Sequence, residues 1–216
     1  MTDFDELWPG GPRLAGGGGA FRLSTDSVLL AEKCPPARFT AVELQPEAAA
    51  LCRRNFAENG LADRGEALCA DLRAHRSLLP AGEADLVVAN PPYFPVGAGQ
   101  SAPDEARRIA REEVCCTLEE VFAAAAWLCR WGGAFCLVHR PERLSEICCA
   151  AANAGLEIKR LRMVQYKIES PPSLVLLECR RGARPGLTAE PPLILAEADG
   201  AESAEVKTIY HRETRT

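Results

Sequence analysis

The sequence predicts an α/β fold built on a mostly parallel sheet with an antiparallel C-terminal edge, and three observations carry that prediction. Short apolar runs of strand length recur at residues 38–42, 67–70, 86–89 and 134–138. The stretches between them carry helix punctuation, so strand and helix alternate as they do in parallel sheets. Two further apolar runs, 156–164 and 174–179, follow each other with only a short polar stretch between, which reads as an antiparallel hairpin at the sheet edge.

Taken in chain order, the first twenty residues are rich in Gly and Pro, including Gly16-Gly17-Gly18-Gly19, and read as a flexible segment ahead of a single domain over 21–216. The strand at 38–42 leads into a helix opened by Pro46 and stopped by Gly60, proline in the first turn and glycine past the last being the expected asymmetry. After the strands at 67–70 and 86–89, Thr117-Leu118-Glu119-Glu120 is a capping box that starts a helix over 121–130. Leu118, Val121, Ala125 and Leu128 share one face of it, and Gly132-Gly133 is expected to end it. A strand at 134–138 precedes a helix opened by Pro141 over 142–153, with Gly155 beyond.

Composition bounds the function. At 216 residues with 47% hydrophobic content the chain suits one domain with a full core. The net charge of -5 does not announce a nucleic-acid partner, so RNA binding would need a local basic patch. Most of the ten cysteines lie in apolar patterns, as Cys129, Cys136, Cys148, Cys149 and Cys179 do, and read as small core residues. Their spacing lacks the two-residue gap of zinc or redox motifs, so no metal is expected. Neither a signal peptide nor a bilayer-spanning run is evident, and a cytoplasmic protein with no membrane partner is expected.

Asn90-Pro91-Pro92-Tyr93, followed by Phe94, stands at the carboxyl end of the apolar run Ala84-Asp85-Leu86-Val87-Val88-Ala89. Open α/β sheets bind ligands at that end of their strands. Proline fixes its own backbone and extends the residue before it, so Asn90 is held with few alternatives. An ordinary turn leaving a strand could carry the same residues, but aromatics directly after a wholly apolar strand favour a site. The chemistry that needs them is transfer to a planar, weakly nucleophilic amine. The Asn90 side-chain oxygen and the Pro91 carbonyl would accept from its N–H bonds, and Tyr93 or Phe94 would stack on its plane. Glu43 and Asp71 likewise follow apolar strands, so carboxylate, carboxylate and amide would line one rim, as a nucleoside cofactor requires.

With those residues in place, the chain resembles the S-adenosylmethionine-dependent N6-adenine methyltransferases of the tRNA1(Val) adenine-37 group over nearly its whole length. The resemblance is carried by Phe39-Thr40-Ala41-Val42-Glu43, Cys69-Ala70-Asp71-Leu72, the Asn-Pro-Pro-Tyr motif, Val138-His139-Arg140-Pro141-Glu142-Arg143-Leu144, Lys159-Arg160-Leu161-Arg162, and Pro191-Pro192-Leu193-Ile194-Leu195 with Ile209-Tyr210. It implies a Rossmann-like class I methyltransferase fold, S-adenosyl-L-methionine as cofactor and tRNA as partner. Asn90, Pro91, Pro92 and Tyr93 would be catalytic. Phe21, Arg22, Ser24, Thr25, Asp26, Glu43, Leu44, Asp71, Leu72 and Asn90 would hold the cofactor. Phe94, Lys159, Arg160, Arg162 and Lys167 would meet the RNA, with Arg180, Arg181 and Arg184 extending a basic flank. A solvated edge strand protected by its charges would look the same.

One departure stands out: the family's central first strand, its Gly-rich loop and the helix after it have no counterpart. Residues 30–38 join the flanking parts directly, and a strand with its crossover needs a dozen residues or more. Two outcomes are expected of such a chain, either a break or long jump near 33–38 or a sheet closed by pairing the Glu43 strand directly with the Asn90 strand. Two rival functions stay open, a glutamine-amide methyltransferase of the same fold and a non-catalytic RNA-binding remnant.

Overall fold

The structure, a computed structural model, describes residues 4–6, 11–15, 38–91, 93 and 116–212. Within the segment expected to be flexible, β1 (Phe4–Glu6) and β2 (Arg13–Ala15) pair antiparallel. The run expected at 38–42 becomes β3 (Phe39–Glu43), followed by α1 (Pro46–Glu58) and the parallel strand β4 (Gly65–Cys69). Gly60 takes the left-handed conformation just past the helix end, φ +65°. Asp71 then caps a short 3-10 turn, Leu72–Ala74, by accepting from the Arg73 backbone N–H, and α2 (His75–Leu78) leads to β5 (Ala84–Ala89). The capping box forms in both directions: Thr117 N–H donates to Glu120 Oε2 at 2.8 Å, and Glu120 N–H to Thr117 Oγ1 at 3.3 Å. It starts α3 (Leu118–Leu128). Then come β6 (Cys129–His139), α4 (Leu144–Asn153) after the 3-10 turn Pro141–Arg143, β7 (Leu156–Gln165), β8 (Pro172–Arg181), β9 (Thr188–Ile194) and α5 (Ala204–Ile209).

Five of these strands form one sheet in the order β5-β6-β8-β7-β9. All run parallel except β8, which lies antiparallel between β6 and β7. The hairpin read from the sequence is therefore present but is not the sheet's edge. That place belongs to β9, whose Pro191 and Pro192 an edge strand tolerates because it has ladder bonds on one side only. Gly132-Gly133 does not separate helix from strand either, since β6 begins at Cys129 and runs through both. A Cβ on Gly133 would sit 2.9 Å from the Ala84 and Arg130 carbonyl oxygens, so the glycine lets β6 pass close to β5.

The core follows from β6. Every residue from Gly133 to His139 is buried, as expected of a strand covered on both faces. On one face Phe135 and Leu137 meet α3 and α4, with Phe122 edge-on to Phe135 at 5.1 Å. On the other, Cys136 and Val138 pack with Leu86, Leu174 and Leu176. Farther along, Val206 and Ile209 of α5 cover Val164 and Leu193.

β3 and β4 form a sheet of their own. Among the described residues no strand pairs with the second edge of β3 or with the second edge of β5. Val88 is accordingly 44% exposed in a strand whose sequence reads as fully buried. Direct pairing of the Glu43 strand with the Asn90 strand is therefore not what the chain adopts. The expected break near 33–38 falls almost wholly outside the described residues. β2, in turn, is strapped to α1. Asn59 accepts from Arg13 N–H and donates to Arg13 O, both at 2.8 Å, as a neighbouring strand would, and Asn55 Oδ1 accepts from Ala15 N–H at 2.8 Å.

Candidate active site

Because β5, β6 and β7 are mutually parallel, their carboxyl ends lie along one rim, and Asn90 stands there directly after β5. Asn90 is exposed while Pro91 behind it is buried, which anchors the turn. The Tyr93 hydroxyl donates to the Asn90 side-chain oxygen at 2.7 Å. That bond occupies the acceptor the sequence assigns to an incoming amine, and shows that the oxygen is already aimed at a donor. Tyr93 in turn meets His139 edge-to-face, with ring centroids 5.2 Å apart at 63°. His139 ends β6, is fully buried, and its Nδ1 accepts from the Arg140 backbone N–H at 2.8 Å. Sequence reasoning gave His139 no role. Its signal was a polar residue closing a wholly apolar strand beside the Asn90 strand. Pro92 and Phe94 lie outside the described residues.

Glu43 ends β3, level with Cys69 at the end of the neighbouring strand β4, and Asp71 follows just beyond as the cap of the 3-10 turn. Glu43 accepts from Gln45 N–H through Oε1 at 2.9 Å, and a carboxylate offers a second oxygen to a diol. Leu44 beside it is 37% exposed, an apolar surface at the rim, whereas Leu72 packs against the main core. Asp71 is clamped by Arg73, which donates its backbone N–H at 2.9 Å and its Nε at 2.9 and 3.0 Å. Those hydrogen bonds hold the Asp71 carboxyl below its usual range. The structure thus brings Glu43 and Asp71 together on one sheet, and Asn90, Tyr93 and His139 together on the other. Phe21, Arg22, Ser24, Thr25 and Asp26 lie outside the described residues.

The basic residues are less gathered than the sequence suggests. β7 is three strand steps from β5, about 14 Å at the usual spacing. Lys159 and Arg160 sit in its first half, level with the middle of β6, and only Lys167 stands beyond its rim end. Arg180 and Arg181 close β8 at the opposite end of the sheet. Arg160 donates through Nε to Glu190 at 2.6 Å and through Nη1 to Glu178 at 3.2 Å. Arg162 grips Glu205 with two bonds of 2.6 and 2.7 Å and also reaches the Pro191 carbonyl. Lys159 donates to Arg184 O, and Lys167 to Ala198 O.

Burial pushes the Cys129 thiol up to about 11 and the Cys179 thiol up to about 12, so both are inert core residues. Among the described residues no group of histidine, cysteine and acidic side chains is placed to hold a metal ion. No described helix is long and apolar enough to cross a membrane.

No family model matches the chain. It is 32% identical over 159 residues to the tRNA1(Val) (adenine(37)-N6)-methyltransferase of Porphyromonas gingivalis, a match covering 71% of this chain and 60% of that one. The Tolumonas auensis protein of the same name is 30% identical over 180 residues, covering 83% of this chain and 73% of its own. The match spans about three fifths of the first of these relatives and about three quarters of the second. Among solved structures, a predicted O-methyltransferase from Agrobacterium tumefaciens superposes with a TM-score of 0.63 at 24% identity, covering 86% of this chain and 81% of that one.

Proposed function

The chain belongs to the family of tRNA1(Val) (adenine(37)-N6)-methyltransferases and has their Rossmann-like class I fold, and from that premise we propose that it transfers a methyl group from S-adenosylmethionine to the N6 amine of an adenine in tRNA. The observation that carries the reading is Asn90 at the carboxyl end of β5, its side-chain oxygen already accepting from a donor at 2.7 Å.

Glu43 and Asp71, together at the carboxyl end of the β3–β4 pair, offer the acceptors a nucleoside would need. Glu43 would accept from the ribose hydroxyls, with Leu44 against the sugar. Asp71 would share its carboxylate between Arg73 and the adenine amine. When bound, the cofactor supplies an electrophilic methyl carbon. The Asn90 side-chain oxygen and the Pro91 carbonyl would accept hydrogen bonds from the two N–H groups of the target amine and turn its lone pair toward that carbon. The Tyr93 ring bounds the plane of the base. Asn90 and Pro91 would hold the nitrogen in line with that carbon, and the proton made acidic by alkylation would leave to water, so alignment rather than a strong base would supply most of the rate. Of the basic residues on and after β7, Lys167 is the one at rim level and the one that would meet a phosphate, while Arg160 and Arg162 tie the β7–β9 edge together.

A second reading, an RNA-binding remnant without catalysis, is favoured by the sheet divided between β3 and β5. Calorimetric titration with S-adenosylmethionine, alongside methyl incorporation into a tRNA1(Val) transcript, separates the two. Saturable cofactor binding with methylated adenine supports transfer. Transcript binding with neither of these overturns it in favour of the remnant.

A further inference from the structure

The wall of the Asn90 site holds a histidine to which the transfer reading gives no part. His139 closes β6 at 0% exposure, next to the strand that delivers Asn90. Its Nδ1 accepts from the Arg140 N–H at 2.8 Å, which leaves the proton of the neutral ring on Nε2 and fixes the ring's orientation. Tyr93 rests edge-to-face on it at 5.2 Å, inside the range where aromatic pairs attract. The Tyr93 hydroxyl reaches Asn90 Oδ1 at 2.7 Å.

We propose that His139 is a positioning residue for this site: its buried ring sets the tilt of Tyr93 and, through the Tyr93 hydroxyl, the direction in which the Asn90 side-chain oxygen points. The two ends of an asparagine amide differ as acceptor and donor, and an O–H donor selects the oxygen end. A tyrosine resting on a mobile neighbour would swing, and the oxygen would swing with it. Resting on a ring that is buried on every side and has no room to move, it cannot. An incoming amine then meets an acceptor already aimed, and replaces the hydroxyl as its donor. What Asn90 does for the amine rests on the methyl-transfer reading. How Asn90 is held does not.

The test uses the ¹⁵N-labelled full chain and the side-chain amide resonances of Asn90, identified by their absence from Asn90→Ala. Tyr93→Phe removes the hydroxyl and marks where those resonances lie without its bond. His139→Asn keeps an acceptor for the Arg140 N–H but removes the ring. His139→Phe keeps a ring and removes the acceptor. We expect His139→Asn to move the Asn90 resonances to the Tyr93→Phe position, with the double variant moving no further. His139→Phe should leave them near wild type while lowering the melting temperature. Should His139→Asn fail to fold, His139→Leu, which fills the ring's volume, is read in the same way. Resonances unmoved in a folded variant lacking the ring overturn the proposal. In the methylation assay, loss of the ring should lower kcat on the order of 10- to 100-fold with KM for tRNA nearly unchanged, and His139→Phe should restore it. If the resonances move as expected but wild type transfers no methyl group, the positioning stands and the methyl-transfer reading falls.

Discussion

Asn90 and Tyr93 share one hydrogen bond but answer to different measurements. Asn90→Ala removes the acceptor for the substrate amine, so methyl transfer should fall by about 10²- to 10³-fold while S-adenosylmethionine affinity stays within a few-fold. Near-normal turnover in that variant would remove Asn90 from the site. The buried thiols give a pH signature of the opposite kind. Cys129 and Cys179 are raised from 9.0 to about 11 and about 12 because burial disfavours the thiolate. The unfolded chain therefore binds fewer protons than the folded one above pH 9, and their contribution to stability, fully present below that pH, is lost between about 9 and 12. Urea midpoints followed from pH 8 to 11 should decline, and the decline should be shallower in Cys179→Ala. Asn90 was legible in the sequence because its neighbours, an apolar strand and two prolines, define both place and conformation. His139 was not, since a single histidine closing an apolar run looks like any core residue. Nor was the Tyr93 bond to Asn90, which depends on how the prolines turn the chain.

Helices were read well at this scale because their punctuation is local. Pro46, Gly60, Thr117 with Glu120, and Gly155 each act within one turn, and each sits where the sequence put it. Strand ends and strand order were harder, because they are decided by partners distant in sequence. Gly132-Gly133 resembles a stop until Ala84 is seen alongside. Gly133→Ala should therefore cost about 1–3 kcal/mol in a denaturation curve, from the close approach to two carbonyl oxygens. A change smaller than about 0.5 kcal/mol would show that the backbone yields there. The β7–β9 edge offers a parallel case, since Arg162 and Glu205 are a bidentate pair between strand and helix. Both are partly exposed, so Arg162→Ala should cost only about 1 kcal/mol. It should also loosen α5, read as faster amide exchange at Val206 and Ile209. Weakened tRNA binding with unchanged exchange would instead place Arg162 on the RNA.

For the whole molecule, the missing strand was legible as a deficit of residues, but how the sheet would respond was not. Among the described residues the β3–β4 pair and the five-stranded sheet stay separate. In hydrogen exchange, amides on the edges of β3 and β5 that pair with no described strand should be less protected than those of β6 and β8, which approach the global limit. Equal protection across all of them would mean that the divide is bridged in solution. The strand β8 has a consequence of another kind. It enters the sheet after both of its neighbours, since β6 and β7 are joined through α4 and leave a slot one strand wide between them. During synthesis, a nascent chain that has emerged only as far as Gln165 has made both walls of the slot with nothing to put between them. Assembly of this sheet is tied to Arg181 leaving the ribosome, and a pause that holds β8 inside after Gln165 has emerged would display two facing rows of unmet amides and carbonyls, a natural landing place for a chaperone.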